Sequence, residues 1–96
     1  MLNDPLVQKV RSMLLDHLSK TGYRIFLFGS RVTDHHHPYS DIDIGIEGPR
    51  RVPRELMVKM EEVLEESDLP VKVDIVDFSR VTPEFSQIAK KTMRQL

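Results

Sequence analysis

The sequence lacks the residues that support several common classes of protein. It contains no cysteine, which excludes disulfides, thiolate metal sites and cysteine nucleophiles. No apolar run approaches the roughly 20 residues that a membrane helix needs. Its 14 Lys and Arg are offset by 15 Asp and Glu, so the excess positive charge that favours binding to duplex DNA is missing. The first residues form neither a basic segment nor a signal-type apolar stretch, and we therefore expect a cytoplasmic protein with no membrane association.

The 96 residues, 40% hydrophobic and 30% charged, have the composition of one globular domain. We therefore expect a single domain over residues 1–96. A chain of this size can build one hydrophobic core but not a deep, fully enclosed pocket as well. Any site should accordingly be an open cleft.

The spacing of apolar residues predicts an alternation of helices and strands. Prolines, glycines and polar segments mark the boundaries of these elements. The predicted order is a helix from Pro5 that ends before Gly22, a strand over 23–28, a polar loop over 30–40, a strand over 41–47, a helix opened by Pro53, a strand over 71–77, and a helix from Pro83 to about Leu96. This order predicts a small α/β sheet layered with helices.

Two aspartates lie on the polar side of the second predicted strand. Asp41 and Asp43 alternate there with Ile42 and Ile44, so both carboxylates leave the same face, about 6.6 Å apart along the strand. They could bind one cation from two sides. Asp74 occupies the polar side of the third predicted strand. If the two strands are neighbours in register, three carboxylates converge, and Mg²⁺ is the cation expected among carboxylate and phosphate oxygens.

Gly29 and Ser30 end the first predicted strand. A glycine there allows a ligand to approach the backbone, and amide groups of the following turn can point at phosphate oxygens. Such a turn beside paired carboxylates is what metal-assisted transfer from a nucleoside triphosphate requires. Asp-x-Asp alone is most often a solvated strand face; its combination with Gly29-Ser30 and Asp74 favours the catalytic interpretation.

These residues carry a resemblance to a known family. Gly29-Ser30, ten intervening residues and then Asp41-Ile42-Asp43 resemble the nucleotidyltransferase signature of the DNA polymerase β superfamily. The strand around Asp74 resembles the strand that carries the third carboxylate in that superfamily. The sequence around Asp41 and Asp43 is similar to that of the minimal nucleotidyltransferase family. The resemblance covers roughly residues 23–77. It implies an α+β fold in which helices pack on a small mixed sheet.

The resemblance implies transfer of AMP from ATP to a hydroxyl, with two Mg²⁺ ions. Asp41 and Asp43 would bind both ions, and Asp74 would bind the ion that activates the hydroxyl. The implied nucleotide-binding residues are Gly29, Ser30, Arg31 and Ser40. A surface salt bridge for Arg31 and a local hydrogen bond for Ser40 remain alternatives. The chain departs from the family at Asp34, where the family often has a glycine.

Short members of this family are typically antitoxins of HEPN-type ribonuclease toxins, as in type VII-like toxin–antitoxin pairs, and add AMP to a toxin tyrosine. The resemblance implies such a partner, which would also supply the acceptor that this short chain cannot enclose. Two alternatives remain: a non-catalytic antitoxin that masks its toxin, and an adenylyltransferase for a small molecule. His35, His36 and His37 could bind metal or act as bases, but a solvated loop is the more common interpretation of such a run.

Overall fold

A computed structural model describes residues 4–18, 22–32 and 40–96. Its elements, in chain order, are α1 (Pro5–Leu18), β1 (Arg24–Phe28), a short 3₁₀ helix (Gly29–Val32), β2 (Ile42–Glu47), α2 (Arg54–Glu66), β3 (Val73–Asp77), α3 (Pro83–Lys90) and β4 (Arg94–Gln95). Each helix in these ranges falls short of the length and hydrophobicity that a membrane-spanning segment needs.

The four strands form one mixed sheet in the order β3-β2-β1-β4. The pairing of β1 with β2 is antiparallel, as is that of β1 with β4. β2 and β3 run parallel, which requires a crossover connection between them, and α2 supplies it. The predicted α/β class and the mixed sheet with packed helices are confirmed.

One face of the sheet carries the main hydrophobic core. Ile42, Ile44 and Ile46 of β2 are fully buried there because alternate side chains of a strand leave the same face. They pack in one cluster with the apolar stripes of α1 and α2, including Leu14 and Met60. The alternating isoleucines of β2 and the apolar stripes of the two helices therefore form one buried layer.

The opposite face of the sheet carries a smaller aromatic cluster. Phe26 and Phe28 of β1 pack there with Phe78 and with Ala89 of α3. The Phe28 and Phe78 ring centroids lie 5.6 Å apart, within the range of favourable aromatic pairs. β1 is thus covered on both faces, as its continuous apolar run predicts.

The end of the chain corrects one prediction. The helix expected from Pro83 to about Leu96 ends at Lys90, and Arg94–Gln95 form β4 against β1. The Leu96 N–H donates to the Ile25 carbonyl at 3.0 Å. The segment pairs with an apolar strand that would otherwise be an exposed edge, which outweighs its helical pattern. The bounds of β1, β2 and β3 lie within two residues of their predicted values. α1 ends at Leu18, the loop predicted over 30–40 begins with the 3₁₀ helix, and residues 19–21 and 33–39 lie outside the described residues.

Candidate active site

The parallel pairing of β2 and β3 brings two of the predicted carboxylates side by side. Asp43 and Asp74 are register partners, so their side chains leave the same face of neighbouring strands, about 4.8 Å apart. Both residues are half-buried, whereas Asp41 lies just before β2 and is exposed. The three carboxylates therefore lie at the same end of one face, with Asp43 in the middle, but they do not converge closely enough to form a metal site by themselves.

This arrangement leaves Asp43 in an unfavourable electrostatic environment. Burial raises the pKa of Asp43 above its usual value, and repulsion from Asp74 and then from Asp41 raises it further. Lys72 acts in the opposite direction. Its ammonium lies 3.5 Å from Asp74 Oδ1, although most of the Lys72 side chain is exposed. An exposed lysine partly compensates a charge cluster that a divalent cation would compensate more strongly.

Gly29 lies against this cluster. Its φ is +78°, a left-handed conformation that non-glycine residues rarely adopt. A Cβ at this position would also overlap the carboxylate of Asp43. Backbone conformation and close approach together explain why glycine follows β1. The first turn after the strand is thereby held next to the central carboxylate.

The remaining predicted nucleotide-binding residues flank this region. Ser30 and Arg31 lie in the short 3₁₀ helix that begins at Gly29, and Ser40 lies just before β2, partly buried. Their contacts with nucleotide stay predictions. Asp34 and the run His35–His37 lie outside the described residues.

The donor set fits Mg²⁺ only when the substrate completes it. Within residues 4–18, 22–32 and 40–96, no three or more His, Asp or Glu side chains converge into a preformed metal site. Mg²⁺ usually binds through one or two carboxylates together with waters and substrate phosphates, and not in an all-protein cage. The paired carboxylates of Asp43 and Asp74, whose charge Lys72 compensates only in part, match that requirement.

The contact between Phe78 and Gly45, which supports the carboxylate face, was not predicted from the sequence. Phe78 lies directly over Gly45, where any Cβ would overlap its ring. Glycine is therefore required in the middle of β2, and its position between Asp43 and Glu47 on the polar side was the available signal.

A second missed feature is the buried carboxylate of Asp77, which the alternation indicates only as a strand-end residue on the side of Val73. Asp77 accepts hydrogen bonds from the backbone amides of Val52 and Ser79, each at 2.9 Å, and lies 3.4 Å from Arg80 Nε. Burial alone would raise its pKa, but these partners outweigh it and hold the pKa of Asp77 below its usual value. The carboxylate thus ties the segment before α2 to the end of β3.

Comparisons with known proteins agree with this geometry. A family model described as "Nucleotidyltransferase domain" matches residues 7–95. The chain belongs to the nucleotidyltransferase domain family. The resemblance inferred from Gly29-Ser30 and the three aspartates is therefore confirmed at the level of the family.

Among curated relatives of this chain is the probable protein adenylyltransferase MntA of Haemophilus influenzae, 33% identical over 69 residues. The match covers 72% of the chain, which spans 60% of the length of that relative.

Solved structures show the same fold. A chain of a toxin–antitoxin complex with AMP-PNP has a TM-score of 0.73 and 27% identity, covering 92% of this chain and 69% of that one. A chain of a complex between tri-AMPylated Shewanella oneidensis HEPN toxin and MNT antitoxin has a TM-score of 0.65 and 25% identity, with 92% and 66% covered.

Proposed function

We propose that this nucleotidyltransferase transfers AMP from ATP, with Mg²⁺, to a tyrosine hydroxyl of a HEPN-type ribonuclease toxin, and so acts as its antitoxin in the cytoplasm. The observation that carries the proposal is the register pairing of Asp43 with Asp74 beside Gly29. The similarity to a probable protein adenylyltransferase and to a chain from a complex with an AMPylated HEPN toxin supports the choice of nucleotide and acceptor.

The proposed reaction forms one bond and breaks one. The acceptor oxygen attacks the α-phosphorus of ATP, the bond from that phosphorus to the bridging oxygen breaks, pyrophosphate leaves, and the hydroxyl proton passes to solvent. Bound Mg²⁺ would supply charge neutralisation at the phosphoryl group and a lower pKa for the hydroxyl. Asp41 and Asp43 would hold both ions, and Asp74 would hold the one nearest the acceptor.

The chain's own residues orient the reactants. Gly29 allows the triphosphate to approach the backbone, and Ser30, Arg31 and Ser40 are proposed to contact it. Asp43 and Asp74 are fixed by strands whose other face is the hydrophobic core. A site on paired strands holds its carboxylates more precisely than a loop would.

The direct test is to incubate this protein with the product of the adjacent gene, Mg²⁺ and ATP labelled at either the α or the γ phosphate. We expect the acceptor to become labelled from α-labelled ATP only, because the β and γ phosphates leave together. Label from the γ position, or none from any nucleotide, would overturn the proposal. Omission of divalent cation should abolish labelling.

A second candidate function is a non-catalytic antitoxin that masks its toxin. The observation that favours it is an exposed apolar pair on α3, Phe85 at 41% and Ile88 at 68% exposure, since adjacent apolar side chains are common at protein interfaces. Under masking, an Asp43→Asn variant would still neutralise the toxin. Under catalysis, the same variant would fail to neutralise it.

A further inference from the structure

A groove runs along the outer edge of β3, between that strand and α2. It consists of two adjoining cavities, about 380 Å³ and about 450 Å³, which share Glu61 and Ile75 as lining residues. The lining of the first cavity includes Asp74, and that of the second includes Arg54 and Arg80. We call this the β3–α2 groove. It adjoins the carboxylate site at one end.

The backbone of β3 presents hydrogen-bonding groups to this groove. The Ile42 N–H donates to the Lys72 carbonyl, and the Phe78 N–H donates to the Ile46 carbonyl, each at 2.9 Å. Since the bonds of a parallel ladder alternate along a strand, the N–H and C=O groups of Val73 and Ile75 point away from β2. In the part of the chain that the structure describes, β3 is an edge strand with no neighbour on that side.

We infer that the β3–α2 groove binds an extended segment of the acceptor protein as an added strand on β3, with the acceptor hydroxyl placed beside Asp74. This inference rests on the proposed function and names how its acceptor is recognised. A polypeptide is the occupant because main-chain N–H and C=O groups, repeating at about 3.3 Å per residue, match those of an edge strand.

The alternation of side chains explains how such a segment would serve the reaction. A strand added to β3 lies about 4.8 Å away, and directly opposed residues leave the same face. The residue beside Asp74 would therefore project onto the carboxylate face, next to Asp43. Its two neighbours in the segment would project towards α2 and into the cavities. In this register, a tyrosine opposite Asp74 would project its side chain from the same face as the carboxylates.

The charges and apolar surfaces of the groove define the rest of the segment. Val58 is 43% exposed and lines the second cavity with Met57, which favours an apolar side chain there. Arg54 at that end favours an acidic residue, whereas the nearby Arg80 is already paired with Asp77. Glu61 and Glu65 outnumber Lys72 in the lining of the first cavity and favour a basic residue there. The groove is therefore directional.

The test is carried out with the purified neighbour-encoded protein as acceptor. Arg54→Glu and Val58→Asp are compared with Lys59→Glu, an exposed control on the same helix that lines neither cavity. We expect the two groove variants to raise the KM for acceptor and its dissociation constant by about tenfold or more. The KM for ATP should stay unchanged. The Lys59→Glu control should behave as the wild type.

A second measurement needs no substitution. Amide hydrogen exchange at Val73 and Ile75 should slow on addition of acceptor, because an added strand protects these outward N–H groups. Wild-type acceptor affinity in both groove variants, or unprotected amides in the complex, would overturn the inference. Groove-dependent binding without any labelling would sustain the docking site and reject the proposed reaction. If the acceptor neither binds nor is labelled, both are rejected.

Discussion

The two faces of β2 differ in what their side chains do, although their residues alternate along six positions. Ile42, Ile44 and Ile46 are fully buried in the main core. Asp43 projects from the other face into a cluster of like charges, where burial and its neighbours raise its pKa. One face stabilises the fold, whereas the other holds charge at a cost to stability. Such a cost is expected where a binding or catalytic site is kept in an otherwise stable fold.

The largest effect on activity is expected at the carboxylate face. Asp43→Asn should lower nucleotide transfer by about 10²-fold or more, as for loss of a group that stabilises the transition-state charge. Stability should be unchanged or increased, because a neutral amide removes the repulsion from Asp74 and Asp41. Transfer rate and thermal unfolding measure the two effects. Asp68→Asn, at an exposed position, is the matched control. A large loss of stability in Asp43→Asn would contradict the proposed difference between the core face and the carboxylate face.

The adjacent residue should show the reverse behaviour. Ile44→Ala removes a fully buried side chain and should reduce the free energy of unfolding by about 2–5 kcal/mol. Urea denaturation measures this loss. Transfer per folded molecule should stay near the wild-type value at low temperature, since Ile44 points away from the carboxylates. A specific loss of transfer in fully folded protein would show that the faces are not separable.

Asp77 extends the comparison of the two sheet faces, because it is a carboxylate that lies on the side of the hydrophobic core. Asp77→Asn should cost about 1.5–3 kcal/mol at neutral pH, through weakened charged hydrogen bonds to Val52 and Ser79. Since the folded-state pKa of Asp77 is lowered, its contribution is full above the unfolded value near 3.8 and is lost as pH falls towards the folded pKa. Urea denaturation between pH 6 and pH 2 should therefore show a smaller acid-induced loss in the variant. Equal losses in both proteins would reject this role.

A smaller loss of stability is expected from a substitution of Gly29, which lies against the Asp43 carboxylate. Gly29→Ala should cost about 1–2 kcal/mol through its left-handed backbone. The added Cβ also displaces the Asp43 carboxylate, so transfer should fall further than stability suggests. Gly22→Ala is a useful control, since Gly22 has a φ of +84° and lies near Pro49, away from the carboxylates. Equal transfer in the two variants would contradict a role for the close approach.

The sequence predicts most of this contrast but not all of it. Strict alternation over 41–47 predicts both faces of β2, and Asp74 is correctly placed because its strand alternates in the same way. Which strands are neighbours depends on the α2 crossover and on packing between distant residues, so the register of Asp43 with Asp74 required the structure. The same holds for β4, because the pairing of Arg94 and Gln95 with β1 is a long-range effect that local periodicity does not contain.

The position of Phe78 over Gly45 was likewise hidden from the sequence. Glycine at this point could mark a bulge, a bend or a close contact, and only the fold shows which of these applies. The buried network of Asp77 has the same origin, since its partner Val52 lies 25 residues away. Local pattern thus predicts the position of the candidate site carboxylates better than that of the residues that support them.

Nucleotide transfer to a partner protein is proposed to take place at the carboxylate face. The decisive measurement is the intact mass of the protein encoded by the adjacent gene, after co-expression with the wild type or with Asp43→Asn. We expect AMP adducts, on tyrosine, with the wild type and none with the variant. Adducts with both proteins, or neutralisation of the partner by the wild type without any adduct, would contradict this proposal.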